Sequence, residues 1–145
     1  MKLTNKVAVV TGSGSGMGQA SAILFAQEGA KICVADIDRK GGQQTVELIK
    51  EKGGDAIFIE TDVSKASDVQ RMIKTTLDNY GRLDILFNNA GYPMLPTPTE
   101  DVEEELWDKI MAVNVKGGKR IPRRNREGVP GEPEDHERWR VRCAR

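Results

Sequence analysis

The sequence lacks any apolar run long enough to cross a bilayer, and it has only two cysteines. No apolar run approaches the ~20 residues that a membrane-spanning helix needs. Residues Met1 to Lys6 contain no apolar region typical of a signal peptide. Cys33, in an apolar run, and the isolated Cys143 make neither a disulfide framework nor a metal-ligand cluster. We therefore expect a cytoplasmic protein with no metal site, no membrane segment and a buried Cys33.

Basic residues are scarce in most of the chain and are concentrated at its end. Residues 1–118 hold 13 Lys and Arg against 17 Asp and Glu, a net charge of −4. Residues 119–145 hold 9 against 5, a net charge of +4, with eight Arg and no apolar periodicity. We predict a folded domain over 1–118 and a basic, largely disordered tail over 119–145. The abrupt onset of this tail suggests a reading-frame artefact.

Short β-branched runs alternate with helical periodicity through residues 1–118. The predicted strands are 7–10, 32–35, 56–59 and 84–87, and the predicted helices are 17–28, 40–52, 69–80 and one from Thr97. The first helix carries an apolar stripe of Ala20, Ile23, Leu24 and Ala26. Thr97–Glu100 has capping-box spacing, with Pro98 at the first helical position. The alternation predicts an α/β fold, a Rossmann-type doubly wound parallel sheet of about four strands.

A glycine-rich turn follows the first predicted strand and opens the first predicted helix. In it, Gly12 allows a tight turn, Gly16 allows the backbone to approach a pyrophosphate, and Gly18 allows helix and strand to pack closely. The N-terminus of the helix offers unpaired N–H groups and a partial positive charge to that pyrophosphate. The alternative, a flexible Gly/Ser loop, is disfavoured by the strand before it and the helix after it.

Asp36 ends the second predicted strand, 18 residues after Gly18. A carboxylate there accepts hydrogen bonds from the adenosine ribose and repels a 2′-phosphate by about 3 kcal/mol at ~5 Å and an effective dielectric of ~20. This favours NAD over NADP, and Ile37 adds no cation. Arg39 could reach a phosphate and leaves the NADP alternative open. The alternative for Asp36 is a helix cap, a role that Asp38 could fill instead.

Asp62 and Val63 follow the third predicted strand, at the carboxyl edge where open α/β sheets bind ligands. Asp62 could accept a hydrogen bond from the adenine amino group, and Val63 could pack on the ring. The alternative is that Asp62 is a loop carboxylate that caps the next helix.

Together these residues resemble the short-chain dehydrogenase/reductase family over about residues 3–118. The resemblance is carried by Thr-Gly-x-x-x-Gly-x-Gly at 11–18, Asp36, Asp62–Val63, Asn88–Gly91 and Asn114–Gly117. It implies that Asn89 and Ala90 approach the nicotinamide-side ribose and that Asn114 is the active-site Asn. A helix kink or cap is the alternative for Asn114. The predicted cofactor-binding residues are Gly12, Ser15, Gly16, Met17, Gly18, Asp36, Ile37, Asp62, Val63, Asn89, Ala90 and Gly91.

The catalytic Tyr, Lys and Ser of that family have no counterparts in this chain. The family uses a Tyr whose pKa, near 10 when free, is lowered by a Lys four residues later. Asp84 follows Tyr80 at that spacing, Pro96 follows Tyr92, and no Tyr follows Asn114. We therefore expect a truncated, inactive fold with an open edge at strand 84–87 and without the family's usual oligomer interface.

The predicted function is that of an NAD(H)-binding fragment of a short-chain dehydrogenase. The family reaction transfers hydride between alcohols and ketones, and the resemblance implies a small-molecule substrate only in an intact relative. The alternatives are a non-catalytic cofactor-binding remnant and a binding protein that uses the Arg-rich tail. Five acidic residues interrupt that tail, and Trp139 is its one aromatic residue. A nucleic-acid partner is therefore disfavoured.

Overall fold

A computed structural model describes residues 1–118, so the tail predicted over 119–145 lies outside the described residues. The elements are β1 (Val7–Thr11), α1 (Gly16–Gln27), β2 (Lys31–Asp36), α2 (Arg39–Glu51), β3 (Ala56–Glu60), α3 (Ala66–Tyr80), β4 (Ile85–Phe87), a 3₁₀ turn (Thr99–Asp101), α4 (Glu104–Ile110) and a π-helical segment (Met111–Gly117). None of the described helices is long and apolar enough to span a membrane.

The four strands form one parallel sheet in the order β3-β2-β1-β4. In the centre, Val9 of β1 pairs with Cys33 on one side and with Leu86 on the other. The chain thus builds outward from β1 in both directions, which is the order of a doubly wound sheet. The predicted Rossmann-type α/β fold is confirmed, and β4 lies at one end of the described sheet.

Alternate residues of the central strands enter two separate cores, one on each face of the sheet. Val10 and Ile32 pack toward α1 and α2, whereas Val9 and Cys33 pack toward α3. Each of these side chains is fully buried, and burial of a Val or Ile contributes about 1.5–3 kcal/mol. Cys33 is a small buried residue, as predicted. Burial raises the pKa of its thiol to about 12, and a hydrogen bond with Thr76 opposes that rise only in part.

Helix α1 packs through small residues rather than through the whole predicted apolar stripe. Gly18 and Ala22, one helical turn apart, are its buried residues. Leu24, predicted to face the core, is 54% exposed. The stripe was therefore wrong at Leu24 and at Ala20, which is also exposed. Ile23 and Ala26 do pack against the core, whereas Leu24 lies two positions from the buried Ala22 and so on the opposite side of α1.

The helix predicted from Thr97 begins later, at Glu104. The Thr97 hydroxyl donates to the Leu95 carbonyl at 3.0 Å instead of capping a helix. Pro98 has an extended backbone (ψ 143°) and precedes a single 3₁₀ turn, after which Val102 (ψ 112°) is extended again. The capping-box prediction was wrong, because these two extended residues interrupt the helical path on either side of the turn.

Asp84 ties the beginning of β1 to the beginning of β4. Its Oδ2 accepts the Val7 N–H at 2.9 Å, and its own N–H donates to the Val7 carbonyl at 2.9 Å. Arg82 and Lys6 form ion pairs with the same carboxylate. Burial raises the pKa of Asp84, but hydrogen bonds from Arg82 and Val7 and the two cations outweigh it and hold the pKa below its ordinary value.

We expect Asp84→Asn to lower the free energy of unfolding at pH 7 by about 1–2 kcal/mol. A carboxyl whose pKa is lower in the folded chain stabilises that chain above the unfolded pKa, near 4, and this stabilisation is lost as the pH falls through the folded pKa. Urea unfolding at pH 7 and pH 3 measures the effect. Asp78→Asn, at an exposed carboxylate paired with Lys74, is the control and should change little. The prediction would be contradicted if the free energy of unfolding fell by the same amount from pH 7 to pH 3 in Asp84→Asn and in the unmodified chain.

Candidate functional site

The loops that follow the four strands share one edge of the sheet. All four strands are parallel, so their carboxyl ends meet there. The edge therefore collects the glycine turn after β1, Asp36 at the end of β2, Asp62 and Val63 after β3, and Asn88–Gly91 after β4. The structure brings these sequence-predicted residues to one side of the molecule.

Backbone conformation and close packing account for the glycines of the turn. Gly12 and Gly16 have positive φ angles of 65° and 54°, where a side chain would be strained. A Cβ on Gly12 would lie 2.8 Å from the Ala90 Cα, and one on Gly18 would overlap the Gly12 carbonyl oxygen. A Cβ on Gly16 would meet nothing within 4 Å. The turn is therefore packed tightly on its inner side and open at Gly16.

Successive carbonyl groups at the end of β1 and in the turn face inward and accept hydrogen bonds from the protein. The Ser13 hydroxyl donates to the Val10 carbonyl at 2.7 Å, and the Asn89 Nδ2 donates to the carbonyls of Thr11 (3.1 Å) and Gly12 (3.0 Å). Within the described chain, Ser15 occupies the N-cap of α1 without a side-chain capping bond. The first N–H groups of α1 are thus left available to an anion, and the exposed Met17 lies beside them.

Thr11 joins the turn to the loop after β4. Its hydroxyl oxygen accepts the N–H groups of Asn89 and Ala90, each at 3.1 Å. The same hydroxyl donates to the Phe87 carbonyl at 3.4 Å. Thr11 and Ser13 are both fully buried, and sequence reasoning assigned a role to neither. The signal for Thr11 was its position at the end of a strand that pairs with the strand before Asn88.

The Asp36 carboxylate holds the turn from the β2 side. Its Oδ2 accepts the Gly14 N–H at 2.7 Å, and its Oδ1 accepts the Asp38 N–H at 2.9 Å. Asp38 caps α2 by accepting the Lys40 N–H at 3.0 Å, so the cap belongs to Asp38 and not to Asp36. Ile37, beside it, is 67% exposed.

Arg39 forms an ion pair with a carboxylate at the end of β3. It is the cation that left the NADP alternative open. Its Nε donates to the Glu60 Oε2 at 3.0 Å. Both side chains are exposed, so the pair is weak and screened by salt. A phosphate at this position would have to compete with Glu60 for Arg39.

Asp62 organises its own loop. Its Oδ1 accepts the N–H of Ser64 at 2.9 Å and the Ser64 hydroxyl at 2.6 Å, and Lys65 lies 3.4 Å from its Oδ2. Burial raises the pKa of Asp62, but these bonds outweigh it and hold the pKa below its usual value. The N-cap of α3 is Lys65, so Asp62 does not cap that helix. Val63 is buried, and a Cβ on Gly117 would lie 3.1 Å from its Cγ2.

Asn114 fastens the loop after Gly91 to the helix. Its Oδ1 accepts the Tyr92 N–H at 2.7 Å, and its Nδ2 donates to the Tyr92 carbonyl at 3.1 Å. Asn114 lies in the π-helical segment, a distortion that is frequent at functional sites. The Lys109 ammonium lies 4.2 Å from the centre of the Tyr92 ring. Asn114 thus lies in a distorted part of the helix and holds the loop at Tyr92, and its role as the active-site Asn stays a prediction.

An open cavity of about 310 Å³ lies between that loop and α4. Its lining combines large apolar side chains with two hydroxyls and one carboxylate, from Met94, Thr97, Thr99, Val102, Glu104 and Trp107. Within the described chain, none of these lining residues is among the predicted cofactor-binding residues.

The family model of the short chain dehydrogenases matches residues 6–121. The chain belongs to this family. The resemblance carried by the glycine turn, Asp36 and Asn88–Gly91 is thereby confirmed. An uncharacterised oxidoreductase of Thermotoga maritima is 49% identical over 118 residues, which cover 81% of this chain and 45% of that protein.

Solved short chain dehydrogenases share the fold. The 3-ketoacyl-(acyl-carrier-protein) reductase from Brucella melitensis, complexed with NADH, superposes with a TM-score of 0.78 and 40% identity over 82% of this chain and 48% of that chain. An NAD⁺-bound xylitol dehydrogenase gives 0.80 and 30% over 83% and 46%. This short chain dehydrogenase sequence thus spans about half the length of the relatives it matches.

We expect Gly18→Ala to lower the free energy of unfolding by about 1–3 kcal/mol or more, because the new methyl group would overlap the Gly12 carbonyl. Chemical denaturation followed by circular dichroism measures the change. Met17→Ala, at a neighbouring exposed position of α1, is the control and should leave stability nearly unchanged. Equal stability of Gly18→Ala and the unmodified chain would show that α1 does not need this close approach.

Proposed function

We propose that this chain binds NAD(H) at the carboxyl edge of its sheet, as the nucleotide-binding part of a short-chain dehydrogenase. The observation that carries the proposal is the glycine turn. Its carbonyls are bonded inward, and its open side at Gly16 lies beside the uncapped beginning of α1. A pyrophosphate suits such a site, since backbone N–H groups and the helix dipole both favour an anion. Two structural relatives that contain NADH or NAD⁺ support the proposal.

The other predicted residues then have consistent roles along the dinucleotide. We assign Ser15, Gly16, Met17 and Gly18 to the pyrophosphate, Asp36 and Ile37 to the adenosine ribose, and Asp62 and Val63 to the adenine. Gly12, Asn89, Ala90 and Gly91 form the floor under the nicotinamide-side ribose. When bound, the nicotinamide would supply the hydride acceptor or donor for the family's alcohol–ketone chemistry.

The charges near Asp36 favour NAD over NADP. The carboxylate keeps lone pairs for ribose hydroxyls while it accepts the Gly14 N–H. A 2′-phosphate would be repelled by Asp36, and Arg39 is already paired with Glu60. Both effects act in the same direction.

Binding and turnover are separable in this proposal. Asn114 is the one residue assigned to the catalytic group, and no Tyr-x-x-x-Lys sequence occurs in the 145 residues. The chain therefore acts as a cofactor-binding unit without the proton-transferring Tyr. Alcohol or ketone turnover belongs to relatives that carry those residues. We also propose a cytoplasmic location for this chain.

The unmodified chain should bind NADH at least about tenfold more tightly than NADPH in isothermal titration calorimetry. Asp36→Asn should reduce this preference by about tenfold or more, because the repelling charge is removed while the side chain keeps its shape. Asp38→Asn removes the same charge from the α2 cap and is the matched control. A chain that binds neither nucleotide would refute the proposed function, and an unchanged preference in Asp36→Asn would refute the role of Asp36.

The 145-residue chain should not reduce NAD⁺ in the presence of alcohols, because no Tyr is placed to accept the hydroxyl proton. The measurement is NADH absorbance over hours, with a xylitol dehydrogenase and xylitol as the assay control. Asp36→Arg, which should block NAD⁺ binding, distinguishes true turnover from contamination. Turnover by the unmodified chain that disappears in Asp36→Arg would contradict the expectation.

A further inference from the structure

Thr45, in the middle of α2, connects three parts of the molecule through one hydroxyl group. Its side chain is fully buried. The Oγ1 accepts the Gln19 Nε2 of α1 at 2.9 Å, and lies 2.8 Å from the Ser13 carbonyl and 2.9 Å from the Gly41 carbonyl. The hydroxyl has one proton, so it donates to one of these carbonyls at a time. The Ser13 carbonyl belongs to the glycine turn.

The Ser13 carbonyl, which Thr45 reaches, is the fourth in a row of backbone carbonyls that accept hydrogen bonds from side chains. The carbonyls of Val10, Thr11 and Gly12 are bonded by Ser13 and Asn89. The Ser13 carbonyl is the next along the chain, and its hydrogen bond comes from the opposite side, from α2. Four consecutive carbonyls, the last two of β1 and the first two of the turn, are thus directed into the protein. The orientation of the Ser13–Gly14 peptide depends on Thr45 and on the Gly14 bond to Asp36.

Gly41 allows α2 to approach closely enough for this bond. A Cβ on Gly41 would lie 2.6 Å from the Gly14 carbonyl oxygen, so only glycine fits there without a shift. Gly41 and Thr45 are four residues apart and lie on the same face of α2. The glycine pair Gly41–Gly42 weakens the first turn of the helix in isolation. In the folded chain it brings Thr45 against the back of the cofactor turn.

We propose that Thr45 is a positioning residue for the dinucleotide, acting through the Ser13 carbonyl. By keeping that peptide turned inward, Thr45 holds the glycine turn in the conformation that leaves its open side to the pyrophosphate. This inference rests on the proposed function. Without the bond the turn samples other conformations, and the apparent affinity falls with the population of the competent one.

Thr76 provides a matched control on the opposite face of the sheet. It is also a fully buried Thr in a helix, and its hydroxyl donates to its own i−4 carbonyl, Met72, at 2.8 Å. It lies in α3 and packs beside Cys33, away from the glycine turn. Loss of either hydroxyl removes a buried hydrogen bond, but only Thr45 bonds to the turn.

The experiment compares Thr45→Val, Thr45→Ser and Thr76→Val in the full 145-residue chain. Calorimetric titration with NADH gives the Kd, well below the melting temperature of each variant, and thermal unfolding gives the Tm. We expect Thr45→Val to raise the Kd by about five- to tenfold, the equivalent of one lost neutral hydrogen bond. Thr45→Ser keeps the hydroxyl and should stay within about twofold of the unmodified Kd. Thr76→Val should lower the Tm without changing the Kd.

Each outcome decides the inference. An unchanged Kd in Thr45→Val, or an equal rise in Thr76→Val, would overturn it, because the effect would then be absent or merely a loss of stability. If Thr45→Val does not fold, Thr45→Ala is compared with Thr76→Ala by the same criterion, since the smaller side chain avoids crowding. Failure of the unmodified chain to bind NADH would instead refute the proposed function, so the two failures are distinguishable.

Discussion

The close approach of Gly18 to the Gly12 carbonyl determines how near the first turn of α1 lies to the end of β1. Any side chain at Gly18 would push the helix away from the end of β1. Because α1 lies against the end of β1, the turn between these two elements has little room. Its carbonyls must therefore find hydrogen-bond partners inside the protein. Asn89 provides a partner for the Gly12 carbonyl and for that of Thr11 at the end of β1, and Thr45 provides one for the Ser13 carbonyl. The open side at Gly16 is the consequence of that inward bonding.

Because of this constraint, the loops after different strands depend on one another. The hydroxyl of Thr11 accepts two N–H groups from the loop after β4, and Asp36 at the end of β2 accepts the Gly14 N–H. The carboxylate that is proposed to recognise the ribose therefore also supports the turn proposed to hold the pyrophosphate. A substitution at Asp36 would affect recognition and preorganisation together. Asp38, which caps α2, is free of this double role.

The sequence was sufficient to predict the strands, the sheet class and the edge at which the site residues gather. Apolar runs bounded by glycines have a strong local pattern, and parallel strands place their ends together. The pattern was insufficient at Leu24 and at Thr97–Glu100. Leu24 is exposed because it lies on the side of α1 opposite the buried Ala22. Pro98 and Val102 adopt extended conformations that a capping-box spacing does not reveal. The bonds of Ser13 and Thr45 to backbone groups follow no periodicity, so only the folded chain reveals them.

The fully buried thiol of Cys33 has a consequence for studying the dynamics of this protein. With a pKa of about 12, it is almost entirely protonated at neutral pH, and the surrounding β-strands shield it from reagents. Alkylation of this position then requires the central strands to separate from α3. The labelling rate of Cys33 therefore reports how often α3 separates from the sheet, and no cysteine has to be introduced for the measurement.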